Sequence, residues 1–160
     1  MFPTDLNITF DHVWTDYTIN AAWADNEDGW NMRQQLRRGS YQDLNIYIMP
    51  NPGAAGYAYL PVNVTEQPNM RVWDGVVVAT DYVFDGPVAG RTHGKTLIHE
   101  LGHWLGLKHT FDGGCSSPND GVSDTPAHAS GSWSCDMALD TCPGMAGTDP
   151  VENYMNYNWE

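Results

Sequence analysis

The run His99-Glu100-Leu101-Gly102-His103-Trp104-Leu105-Gly106-Leu107-Lys108-His109 carries three imidazoles and a carboxylate at spacings that suit one metal ion. At about 100° per residue, histidines four positions apart leave one helix face about a turn from each other. Their nitrogens can share a Zn²⁺ at about 2.0–2.1 Å each. Glu100, beside the first histidine, is placed to meet a water on such an ion rather than the ion itself. Gly106 follows His103 by three residues, where a glycine can adopt positive φ, end the helix and swing His109 round as a third ligand. Three protein nitrogens and one open position describe a catalytic zinc, not a structural one.

An H-E-x-x-H pattern alone arises in roughly 2% of random chains of this length, so alone it only suggests. Requiring glycine and histidine at the two later offsets lowers that by roughly another 400-fold. A core helix with merely satisfied histidines would place three His and a Glu where apolar packing is wanted, and fails on that ground. A structural zinc module fails because there is no paired-cysteine motif. His12, His93 and His128 lack ligand spacing and read as surface or packing residues. His93 lies about 240° around the helix from His99.

Such a constellation needs a helix, a strand beside it and a floor beneath it. Thr92 to Leu107 carries the longest helical signal, and Asp28 to Arg38 a shorter one stopped by Gly39. Leu6 to Phe10 and Leu44 to Ile48 alternate apolar and polar residues, as half-buried strands do. Gly75 to Ala79 is a continuous run expected of a strand buried on both faces. Tyr57 to Leu60, set between the turn at residues 51–56 and Pro61, reads as an edge strand. Beyond Thr110 the chain is loop-like, dense in Gly, Pro, Ser and Asp. Met155, between aromatic residues, reads on its own as core filler.

Size and charge narrow the possibilities. The chain has 160 residues and a formal net charge of −13, which argues for one acidic domain. Nucleic acid and anionic membranes need clustered positive charge, so neither is an expected partner. No apolar run is long enough to cross a membrane as a helix, and Met1 to Asp5 lacks signal-peptide character. Sequons at Asn7 and Asn63 suit a secreted protein but weigh little.

The sequence resembles the pappalysin (cytophagalysin-like) metzincins, most closely their secreted fungal-type branch. The resemblance is carried by Asp74 to Val78, Gly94 to Leu107, His109-Thr110-Phe111, Gly113-Gly114-Cys115, Val122 to Pro126, Cys142-Pro143 and Asn153-Tyr154-Met155-Asn156-Tyr157. It implies an α+β fold: a twisted mixed β-sheet with an active-site helix and a loop-rich C-terminal subdomain. Residues 1–160 are then one catalytic domain, 1–109 upper and 110–160 lower. It further implies that His99, His103 and His109 bind one Zn²⁺, that Glu100 is the general base and acid, and that Tyr157 lies near the oxyanion. Met155 becomes the Met-turn beneath the metal. Gly56, Tyr57, Ala58 and Tyr59 become the edge strand that pairs antiparallel with extended peptide.

The same resemblance pairs Cys115 with Cys142 and leaves Cys135 for a fourth cysteine beyond Glu160. It also places a strand and a long helix ahead of Leu6 and a helix after Glu160, so a catalytic domain short at both ends is expected. The acidic loop holding Asp112, Asp120, Asp124 and Thr125 offers oxygen ligands for Ca²⁺, or is simply a solvated loop. The function expected is that of a secreted, monomeric zinc endopeptidase that hydrolyses protein or peptide substrates with a zinc-activated water and a glutamate base. The competing expectation is a truncated, catalytically silent relative that binds zinc or peptide without turnover.

Overall fold

Val76, Val77 and Val78 are buried to within 1% exposure, and the strand they form, β3 (Val76–Ala79), is the centre of a three-stranded sheet. A β-branched run suits that place, since it packs against layers on both faces. The computed structural model describes residues 8–87, 93–116 and 119–157. Strand β1 (Ile46–Met49) pairs with β3 in parallel, Tyr47 opposite Val77. Strand β2 (Gly56–Ala58) pairs on the other side antiparallel, Tyr57 opposite Val77. Among the described residues the order β1-β3-β2 leaves β2 at an edge, as its flanking glycine and proline led us to expect.

The two faces of the sheet have different covers. Tyr47, Met49, Val77 and Tyr57 meet Met32 and Leu36 of helix α2 (Gly29–Leu36), together with Trp23 of the single-turn helix α1 (Ala21–Ala24). Residues alternate along a strand, so Val76, Val78, Gly56 and Ala58 face the opposite way. There helix α4 (Lys95–Trp104) lies across β2 and β3. Because α4 stops short of β1, Ile46 and Ile48 on that face remain 43% and 59% exposed. A further single-turn helix, α3 (Met70–Trp73), leads into β3 and packs against α2.

Asp74 locks these pieces at one point. It is buried, forms an ion pair with Arg37 just beyond α2, and accepts from Trp104 Nε1 at 2.9 Å. The last residue of α4 is thereby tied to the entrance of the central strand.

Beyond Trp104 the described residues contain no helix or strand. A disulfide joins Cys115 and Cys142, whose Cα atoms are 5.5 Å apart. Fully buried His128 bonds Thr110 Oγ1 through Nε2 at 2.7 Å and lies 3.9 Å from Asp149, so it packs this half. Asp149 in turn accepts from the Thr141 amide and hydroxyl. Polar side chains do here what backbone ladders do above.

One expected strand is absent. Ile8, Thr9 and Phe10 are not in a strand, and Leu6 and Asn7 lie outside the described residues. Alternation needs a neighbouring strand to complete the ladder, and Ile8 and Phe10 are each 52% exposed without one. Helix α4 is shorter than its signal, beginning at Lys95 and ending at Trp104. Thr92 lies outside the described residues. The edge strand ends at Ala58, before Tyr59 and Leu60.

Candidate metal centre and active-site cleft

Helix α4 carries His99 and His103 on one face, with ring centroids 4.8 Å apart. The helix then stops as the glycine predicted. Gly106 takes φ 99°, its amide bonds His103 O at 2.9 Å, and the Leu107 amide bonds Gly102 O at 2.9 Å. These two bonds form a Schellman cap, which reverses the chain after the last turn. His109 is brought back so that its ring lies 4.6 Å from His103 and 5.2 Å from His99. One ligand atom from each of the three lies within 4.8 Å of the others.

Backbone carbonyls set the tautomers. His99 Nδ1 lies 2.6 Å from Tyr154 O, and His103 Nδ1 lies 2.8 Å from Leu107 O. A carbonyl can only accept, so each Nδ1 carries the proton and each Nε2 presents a lone pair. His103 Nε2 and His109 Nε2 stand 3.2 Å apart. Two ligands at about 2.0–2.1 Å from a tetrahedral ion lie about 3.3–3.4 Å from each other. The donor set and the spacing therefore fit Zn²⁺. Burial lowers the His99 pKa to about 4 and lowers that of His109, which keeps both rings neutral as metal ligands must be.

Glu100 is 6% exposed, and burial pushes its carboxyl up to about 7. It accepts a backbone hydrogen bond from Ala58 of β2, which opposes that rise. Gly56 explains how the strand comes so near. A Cβ there would sit 2.8 Å from Glu100 Cγ and 2.9 Å from Val77 O. The strand thus meets the carboxylate through the Ala58 amide, while its outer edge has no strand partner among the described residues.

The lower half closes the centre from beneath. Gly102 has no side chain, and a methyl there would run into the Met155 sulfur. Met155 is buried, and its carbonyl accepts from the Thr110 amide at 3.2 Å. Tyr157 lies 4.8 Å from His109 and 6.0 Å from His99 between ring centroids, with Trp133 stacked on it at 5.4 Å. Burial, followed by the charges of Glu100 and Asp112, raises the Tyr157 hydroxyl above its ordinary range. Glu100, the three histidines, Trp133 and Tyr157 line a single cleft of about 910 Å³.

The predicted residues thus divide into two groups. His99, Glu100, His103, His109, Met155, Tyr157 and the Gly56–Ala58 strand meet at one place. Asp112, Asp120 and Asp124 do not gather into a metal-ligating group among the described residues. The buried Asp120 instead accepts from the Val122 amide at 2.9 Å. Sequence reasoning passed over Asp74 and Arg33. A carboxylate opening a buried strand was a usable sign for Asp74. Nothing in the spacing marked Arg33, which is 1% exposed and donates to Tyr57 OH at 2.8 Å.

Comparison with known proteins places this arrangement. Mature mirolysin of Tannerella forsythia, in complex with a cleaved peptide, superposes with a TM-score of 0.66 at 26% identity, over 89% of this chain and 54% of that one. Mirolysin in complex with compound 9 gives 0.64 at 32% identity, over 78% and 47%. The fold is that of a metzincin metallopeptidase. Within that class the chain belongs to the pappalysin peptidase family, whose description, Pregnancy-associated plasma protein-A, matches residues 31–160. An extracellular metalloprotease of Neurospora crassa is 46% identical over 155 residues, 96% of this chain and 54% of the relative. One from Colletotrichum graminicola is 44% identical over 153 residues, 95% and 55%. The chain spans about half the length of the curated relatives it matches.

Proposed function

We propose that the protein is a secreted zinc endopeptidase in which His99, His103 and His109 hold the ion and Glu100 moves the proton. The observation that supports it most is the meeting of His103 Nε2 and His109 Nε2 at 3.2 Å with a buried carboxylate in the same cleft. When bound there, zinc supplies Lewis-acid polarisation of a carbonyl and acidifies water toward a pKa of about 7.

The chain's own residues do the rest. Glu100, poised near neutrality by burial, takes a proton from the attacking water and returns it to the departing amine. The carbonyls of Tyr154 and Leu107 keep His99 and His103 in the tautomer that a ligand requires. The Tyr157 hydroxyl, held in its protonated form, is available to donate to charge developing on the scissile carbonyl oxygen. The free edge of β2 pairs antiparallel with extended peptide, as strand addition allows. Residues 1–109 and 110–160 act as the upper and lower parts of one catalytic unit. The extracellular names of its relatives support secretion, and the cleaved peptide bound to mirolysin supports a peptide substrate.

The test is metal analysis combined with cleavage of unfolded casein, with and without 1,10-phenanthroline. The proposal expects one zinc per chain and cleavage abolished by the chelator. Stoichiometric zinc without cleavage would identify a silent binder instead.

A further inference from the structure

The three imidazoles that converge at this centre are held in two different ways. His99 and His103 each donate through Nδ1 to a backbone carbonyl, which fixes the plane and the tautomer of the ring together. Among the described residues no carbonyl does this for His109. The charged group facing its Nδ1 is Asp112, whose Oδ1 lies 3.8 Å away, beyond hydrogen-bond reach, on a side chain that is 45% exposed. What touches the His109 ring is aromatic. Phe111 stacks on its face at 4.8 Å between centroids, with the two planes only 6° apart. Tyr157 meets it in a T-shaped contact at 4.8 Å and 67°.

Phe111 is itself pinned. Its carbonyl accepts from the Gly114 amide at 3.0 Å, and Thr110 before it is tied to Met155 O and to the buried His128. The rings of Tyr157 and His128 stand edge-on to it at 4.9 and 5.8 Å. Gly131 leaves room for the ring, since a Cβ there would lie 3.0 Å from Phe111 Cε1. The lone pair of a ligating imidazole lies in the ring plane, so tilting that plane swings Nε2 off the ion. A coplanar neighbour opposes the tilt, because rotation about the Cβ–Cγ bond drives one edge of the imidazole into the facing ring.

We propose that Phe111 is a positioning residue for the third metal ligand: its ring fixes the plane of His109 by stacking, the task that two backbone carbonyls perform for His99 and His103. It rests on the reading of His109 as a zinc ligand. Stacking sets the tilt of a ring without fixing which nitrogen carries the proton. His109 is therefore the ligand whose orientation depends on side-chain packing rather than on the backbone.

The test compares Phe111→Leu, Phe111→Tyr and Asp112→Asn with the unsubstituted protein. It reads zinc affinity by competition with a chromophoric chelator, and ligand geometry by the visible absorption of the cobalt-loaded form. Phe111→Leu keeps an apolar group but no ring face, and should weaken zinc binding about tenfold and shift the cobalt bands. Phe111→Tyr restores the stack and should return both readings to those of the unsubstituted protein. Asp112→Asn should leave both unchanged. A Phe111→Leu protein that melts lower but keeps its zinc affinity and cobalt spectrum would make Phe111 a packing residue only and overturn the proposal. A tenfold loss in Asp112→Asn would overturn it too, by assigning the orientation to the carboxylate. That variant decides between ring and carboxylate even if Phe111→Leu does not fold. His109→Ala reads the underlying assignment separately. Zinc bound as tightly without that imidazole would remove His109 from the ligand set and the proposal with it. A large loss there, with none in Phe111→Leu, overturns the positioning role alone.

Discussion

Two halves meet at the candidate metal centre and are built by different physics. The upper half, through Trp104, uses a hydrogen-bonded sheet with a helix layer on each face, so its functional residues occupy positions of a regular repeat. The lower half has no regular element among its described residues. A disulfide, a buried His128–Thr110 pair and side-chain caps such as Asp149 on Thr141 hold it. The halves join where Gly102 admits Met155 and where the Tyr154 carbonyl bonds His99. The upper frame places most of the candidate site residues, and the loops orient and floor them. Perturbing one half should therefore leave a signature unlike that of the other.

The largest separation should come from Glu100→Ala. It should lower peptide hydrolysis by roughly 10³- to 10⁴-fold while zinc content stays at the unsubstituted level. An active, zinc-loaded Ala variant would sink the assignment of the base.

The opposite signature belongs to the lower half. Cys115→Ser with Cys142→Ser opens a loop of 27-residue separation, for which loop-closure entropy gives a loss of about 3.5 kcal/mol. Thermal unfolding should shift down accordingly. If the shift is negligible, the lower half is held by its polar caps alone.

The metal-free protein should reveal the upper half's stored electrostatic cost. The Glu100 carboxyl is raised from 4.5 to about 7, so across that interval the folded state keeps a proton the unfolded state has released. Through this group alone, stability of the metal-free protein falls as pH rises from 4.5 to 7, by on the order of 3 kcal/mol at full extent, while the lowered His99 pKa acts in the opposite direction between about 4 and 6.5. Glu100→Gln removes this slope. Melting curves of the two proteins in chelator, compared from pH 4.5 to 8, should diverge in the variant's favour. Parallel curves would place the carboxylate in water.

A smaller effect is expected at the joint itself. Gly102→Ala forces the Met155 sulfur away from α4 and should cost about 2 kcal/mol through overpacking. Zinc affinity should weaken with it, because the Tyr154 carbonyl that orients His99 belongs to the displaced segment. Unchanged zinc affinity, measured by competition with a chromophoric chelator, would make the two halves independent.

Much of the upper half was legible because helices and strands repeat. Four-residue spacing put His99 and His103 together, Gly106 announced the turn to His109, and three valines announced the central strand. The alternation at Leu6 to Phe10 misled for a physical reason: a strand exists only with a partner, and no local pattern names the partner.

Spacing in the chain was enough to say which atoms could hold a metal, which carboxylate could serve it, and that strand β2 would lie at an edge. These follow from spacing along elements whose geometry is local. It took the folded chain to show that Gly56 lets β2 approach Glu100, that Asp74 ties Trp104 and Arg37 together, and that an aromatic cavity lies behind the edge strand. Each of these depends on side chains brought together across large sequence separations, where no periodicity carries the information and packing alone sets the distance.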